Sequence, residues 1–95
     1  MSDMDVKRED GAAGGRYLVT IDGHTAEMTY SKGGATRIII DHTGVPDALR
    51  GKGAGQALVK RAVEDARAAS IKIIPLCPFA KAQIEKHPEW QDVLA

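Results

Sequence analysis

Cysteine is almost missing from these 95 residues, with Cys77 the single copy. One cysteine closes no internal disulfide and builds no multi-cysteine zinc site, so a free thiol in a reducing cytoplasm is expected. Three scattered histidines add no metal-binding pattern, and no metal is expected. Aromatic residues are only 4%, too few for a platform that stacks single-stranded bases. Neither sign of charge is in excess, since 13 Lys and Arg face 13 Asp and Glu. General attraction to nucleic acid or acidic membranes needs a basic surplus, so neither partner is expected. No apolar run approaches the ~20 residues of a membrane span. The polar residues 1–10 also lack the apolar centre of a signal peptide. With 43% hydrophobic residues, the chain can fill one core and no more.

Residues 1–14 show no hydrophobic period and end in small residues, so a flexible leader is expected there, with one domain over residues 15–95. Residues 17–21 and 25–30 are β-prone runs joined by Asp22-Gly23, a pair that tolerates the positive φ of a tight hairpin. Ala26, Met28 and Tyr30 alternate with Thr25, Glu27 and Thr29, as in a strand with one wet face. A turn at residues 31–34 leads to a third strand over residues 36–42. Its three successive isoleucines predict a central position covered on both faces. A helix of about four turns follows, with Leu58, Val59, Ala62, Val63 and Ala66 on one stripe. Residues 71–76 then make a fourth strand, parallel to the third through a right-handed crossover. Pro78 opens a second helix, and a short tail carries Trp90. Met28 and Trp90 are expected in the core. The fold class is α/β (α+β): an antiparallel meander, then a β-α-β crossover, around a central mixed sheet.

The chemistry is concentrated between the third strand and the first helix, in Arg50-Gly51-Lys52-Gly53-Ala54-Gly55. Three glycines let the backbone approach a ligand closely. The first-turn N–H groups of the helix form an anion site. From residue 50 to 67 there are five Lys and Arg against two Asp and Glu, a local +3 in a neutral chain. A pyrophosphate suits such a loop, although glycines also serve simply to turn a chain. A Walker A loop is excluded, because no Lys-Ser or Lys-Thr follows. The spacing Gly51, Gly53, Gly55 is not the dinucleotide fingerprint, and the chain is too short for a doubly wound sheet.

The loop matches the pattern [Q/R]-x-x-G-x-[G/A] at Arg50, Gly53 and Gly55. It is preceded by Asp41-His42-Thr43-Gly44-Val45-Pro46 and followed by Ala57-Leu58-Val59 and Cys77-Pro78-Phe79. This ordered set resembles the small stand-alone branch of the GNAT superfamily of acyl-CoA-dependent N-acyltransferases. The resemblance implies a minimal GNAT-like fold whose third and fourth strands splay apart. It implies acetyl-CoA (coenzyme A) as cofactor, with its pantetheine arm on Thr43, Gly44 and Val45. The diphosphate would lie on Arg50, Gly51, Lys52, Gly53, Ala54 and Gly55, with Gln56, Pro78 and Phe79 completing the cofactor-binding set. It implies an N-acetyltransferase that passes the acyl group to an amine, on a small molecule or a protein.

Two departures from the larger family bear on this. The N-terminal helices that help form the acceptor site have no room here, so that site should be open or completed by a homodimer or partner chain. Phe79 also stands where many members carry a tyrosine that protonates the leaving thiolate. Cys77, just past the fourth strand and before a helix, is expected to have a lowered pKa. It is a candidate nucleophile or acid, against the alternative of a small buried hydrophobe. His42 is the candidate base, because it lies on the strand that should carry the cofactor. His24 and His87 read as surface or capping residues, and Glu27 as a solvated carboxylate that could act through water. A non-catalytic acyl-CoA-binding or sensing module, or a generic nucleotide-binding fold, would share the loop.

Overall fold

The computed structural model describes residues 5–95. A five-stranded sheet runs in the order β1-β2-β3-β4-β5, formed by Lys7–Asp10, Gly14–Ile21, His24–Lys32, Arg37–Gly44 and Lys72–Pro75. The first four strands pair antiparallel in sequence. β5 joins β4 in parallel after helix α1, Ala54–Ala69. At the β2–β3 turn, Asp22 (φ 52°) and Gly23 (φ 79°) both take the positive φ that a two-residue hairpin needs. Helix α2, Pro78–Lys86, and a 3-10 turn, Pro88–Val93, finish the chain.

Both helices lie on one face of the sheet. Tyr17, Val19, Ala26, Met28, Ile38 and Ile40 supply the sheet's half of the core. Leu58, Val59, Ala62, Val63 and Ala66 of α1 supply the other half, with Ile84 and Trp90 closing the end. The isoleucine run had implied a strand covered on both faces; β4 is covered on one. Ile38 and Ile40 are buried, whereas Ile39 on the outer face is only half-buried. Among the described residues no helix packs on that outer face.

A second correction concerns the expected leader. Residues 1–4 of it lie outside the described residues, but Lys7–Asp10 is strand β1, paired with β2 from Lys7↔Leu18 to Asp10↔Gly15. Polar groups hold it, which is why an apolar periodicity does not announce it. The Arg8 guanidinium lies over the rings of Tyr17 and Tyr30, 5.4 and 5.3 Å from their centroids. Arg8 Nε donates to the Tyr30 hydroxyl at 3.0 Å, and that hydroxyl donates to Asp10. Gly15, the first residue of the expected domain, serves this packing: a Cβ there would stand 2.2 Å from the Glu9 carbonyl and 2.7 Å from the Tyr30 hydroxyl.

Candidate active site

The pairing of β4 with β5 stops at Ile40↔Pro75, yet β4 continues to Gly44. Beyond that point the β5-facing edge of β4 has no strand partner, and the sheet opens. The opening begins where the Cys77 backbone N–H donates to the Ile40 carbonyl at 3.0 Å. Opposite it, after a 3-10 turn at Asp47–Leu49, the glycine loop leads into α1. Gly51 (φ 78°) and Gly53 (φ 80°) hold left-handed backbone. Gly53 is the N-cap of α1, with no capping side chain over the first turn.

A cavity of about 480 Å³ lies between these parts. Thr43 and Val45 line it from the β4 end, Leu49 and Arg50 from the turn, and Gly53 to Gln56 from the helix start. Phe79 and Gln83 close it from α2. Gly55 is required by contact: a Cβ there would stand 2.5 Å from Phe79 Cζ and 3.3 Å from Val45 Cγ2. The exposed cations of the glycine loop are loosely held. Arg50 pairs with Asp47 at 3.1 Å, and Lys52 reaches Asp22 only at 4.0 Å. Such solvent-screened pairs open readily for a more highly charged anion.

Cys77 is the N-cap of α2, with Pro78 at the first helical position. It is buried, and its thiol donates to Thr43 Oγ1 at 3.4 Å across the opening. Burial pushes the thiol pKa up, but the Thr43 hydroxyl and the backbone N–H groups of Ala80, Phe79 and Thr43 outweigh it. The net shift is downward.

His42 and Cys77, the two catalytic candidates, lie on different faces of the sheet. His42 pairs with Thr29 and Thr43 with buried Met28, so the two neighbours point to opposite faces. Thr43 faces Cys77 and the helices, and His42 faces the outer surface. His24 is exposed; His87 Nδ1 contacts the Gln83 carbonyl at 2.7 Å and its ring stacks on Trp90 at 3.9 Å. Glu27, expected as a solvated carboxylate, is half-buried and accepts from Arg16 at 2.9 Å. Gln83 and Leu49 were not anticipated in the site. Nothing in an amphipathic pattern marks Gln83, which reaches the cavity only through the docking angle of α2.

The family model described as GCN5-related N-acetyl-transferase matches residues 16–93. The chain belongs to the GCN5-related N-acetyltransferase family. A GCN5-like protein from Staphylococcus aureus, solved by NMR in solution, is 40% identical over all of this chain and 91% of its own, with a TM-score of 0.73. A ribosomal-protein-alanine N-acetyltransferase from Brucella melitensis biovar Abortus 2308 is 20% identical and shares the fold. It matches 90% of this chain and 64% of its own length, at a TM-score of 0.63. No curated protein sequence matches. In GCN5-related terms this chain is a small single domain with a mixed sheet, a β-meander and two helices. Among the described residues no group of three or more His, Cys, Asp or Glu is arranged for a metal, and no helix is long and apolar enough to cross a membrane.

Proposed function

We propose that this domain is an acetyl-CoA-dependent N-acetyltransferase acting on an amine, in a reducing cytoplasm. The carrying observation is the 480 Å³ cavity joining the unpaired end of β4 to the uncapped start of α1. An elongated ligand with a diphosphate near one end and a thioester at the other fits that span. The first-turn N–H groups, Gly51, Gly53 and the exposed charges of Arg50 and Lys52 suit the diphosphate. The unpaired backbone of Thr43 and Gly44 suits the amides of a pantetheine arm, which would pair with it like a strand. Gln56, Pro78 and Phe79 would bound the same arm.

Bound acetyl-CoA supplies the activated acyl carbonyl and a thiolate leaving group. The chain's own residues position that carbonyl and manage protons. An amine must first lose a proton, and His42, on the outer face of the strand that would carry the cofactor, is the candidate for that task. As the amide forms, the C–S bond breaks and the sulfur takes up a proton. Phe79 has no hydroxyl to give, so Cys77, held beside Thr43, is the group at hand. A lowered thiol pKa also suits Cys77 to accept the acyl group itself. CoA release measured across an amine panel, with wild type and Cys77→Ser, tests the reading. Binding of acetyl-CoA without turnover of any amine would leave the second reading, an acyl-CoA-sensing module. That reading draws on Phe79 and on the separation of His42 from Cys77.

A further inference from the structure

At the far end of α1 from the glycine loop, a pocket of about 270 Å³ opens beside the β3–β4 turn. Arg8 of β1, Lys32 of β3 and Arg37 of β4 supply its charge. Gly34 and Ala35 contribute the backbone of the turn, and Ile38 and Ile71 the apolar lining. Three cations and no carboxylate therefore face this space. The 16 residues of α1, at ~1.5 Å each, put it roughly 24 Å from the glycine loop. It is a separate site.

The donors around it are only partly used. Lys32 Nζ bonds to Asp10 at 2.9 Å, which leaves ammonium N–H groups over. Arg8 gives Nε to the Tyr30 hydroxyl at 3.0 Å, but its terminal nitrogens reach Asp10 and Asp65 only at 3.4 Å. Those two carboxylates do not line the pocket, and each is already shared. Asp10 also accepts from the Tyr30 hydroxyl, and Asp65 from Tyr17 and Arg61. Arg37 is exposed and has no ion pair among the described residues. Its register partner on β5 is another cation, Lys72, whose ammonium donates to the Asp92 carbonyl at 2.6 Å. In the turn, Gly34 takes a φ of 83°, and neither its N–H nor that of Ala35 has an acceptor among the described residues. Successive unbonded N–H groups at a left-handed residue form a concavity that suits an anion.

We infer that this pocket is an anion site, and that it takes a dianionic phosphate, either free or as the monoester of a small organic group. Arg8, Lys32 and Arg37 converge from three different strands. That distribution answers the three terminal oxygens of a phosphate better than the two of a carboxylate. Two of the three cations are guanidinium groups, whose planar forks match phosphate oxygens in pairs. The volume admits the phosphate with a small substituent, which would lie on Ile38 and Ile71. The site shares no residue with the cavity over the glycine loop, so it stands or falls apart from the acetyltransferase reading.

The test is a titration of the isotope-labelled protein with inorganic phosphate, phenyl phosphate and benzoate, following backbone amide resonances. It is run at about pH 8, where both phosphates are dianions, and at about 0.15 M salt, which screens unspecific attraction. Residue-resolved shifts keep the pocket apart from the glycine loop, which also suits phosphate. Both phosphates are expected to shift the amides of Lys32, Gly34, Ala35, Arg37 and Ile71, with benzoate about tenfold weaker or worse. Arg37→Gln, which breaks no ion pair among the described residues, should weaken both phosphates by about tenfold while the spectrum of α1 stays as in wild type. Phenyl phosphate binding more tightly than inorganic phosphate would identify an organic monoester as the source, and equal or weaker binding free phosphate; both support the site. No shifts at the pocket in this salt, benzoate binding as tightly as the phosphates, or an unchanged affinity in Arg37→Gln would overturn it.

Discussion

Cys77 Sγ and Thr43 Oγ1 face each other at 3.4 Å across the mouth between β5 and β4. One residue follows the last β5 pairing by two positions, and the other lies on the stretch of β4 that has no parallel partner. Their contact ties the start of α2 to the open edge of the sheet. It is also one of the contacts that, against burial, lower the pKa of the only thiol in the chain. When the thiol ionises the bond reverses, with the hydroxyl donating to sulfur.

Thr43→Val should therefore raise the Cys77 pKa, since burial remains and a stabilising donor is lost. Alkylation by iodoacetamide as a function of pH reads this directly, and the midpoint should move upward with slower reaction at neutral pH. An unmoved midpoint would mean that the backbone N–H groups of Ala80, Phe79 and Thr43 hold the thiol pKa down without the hydroxyl.

Gly55→Ala should fold, because alanine favours a helix over glycine by about 0.5–1 kcal/mol. The new methyl would drive the Phe79 ring out of its place, since ring atoms lie 2.5 and 2.8 Å from the Cβ position. Acetyl-CoA affinity should fall by about tenfold through the altered cavity wall. Calorimetric titration alongside urea denaturation separates the two effects.

Arg8→Ala should cost about 1 kcal/mol through the lost guanidinium contact with two rings. Because Arg8 also bonds the Tyr30 hydroxyl, amide hydrogen exchange in β1 should rise together with that loss. Unchanged stability would show that backbone pairing alone holds β1.

Burial of Tyr17, with its hydroxyl donating to Asp65 at 2.9 Å, raises its pKa well above the ordinary 10.0. A raised folded pKa means that the folded state keeps its proton after the unfolded chain has lost it. Stability is thus fully present below pH ~10 and declines as pH rises further. Burial and the Asp10 bond raise Tyr30 in the same direction, against Arg8. Urea denaturation at pH 8 and at pH 10.5 should show the decline, with a shallower slope in Tyr17→Phe.

Much of this architecture is written in local patterns. Asp22-Gly23 marks its hairpin because few residue pairs accept two positive φ values. The stripe from Leu58 to Ala66 marks α1 because a helix buries every third or fourth residue. β1 is illegible for the converse reason: Lys7–Asp10 is wholly exposed, and it is held through Arg8 and Asp10 by two tyrosines far along the chain. The placement of His42 fails to show because of a bulge. Thr29 pairs with His42 but Tyr30 with Ile40, so Asp41 is an extra residue that resets which side chains face inward. The glycine loop and Cys77 were legible because both depend on short-range chemistry.

The central claim is that the cavity between the end of β4 and the start of α1 holds acetyl-CoA. An amide-resolved titration of the labelled protein with acetyl-CoA tests it most directly. The account predicts saturable shifts concentrated at residues 43–45, 50–56 and 77–79, with small effects on β1. No shifts at saturating acetyl-CoA, or shifts centred away from those three segments, would contradict it.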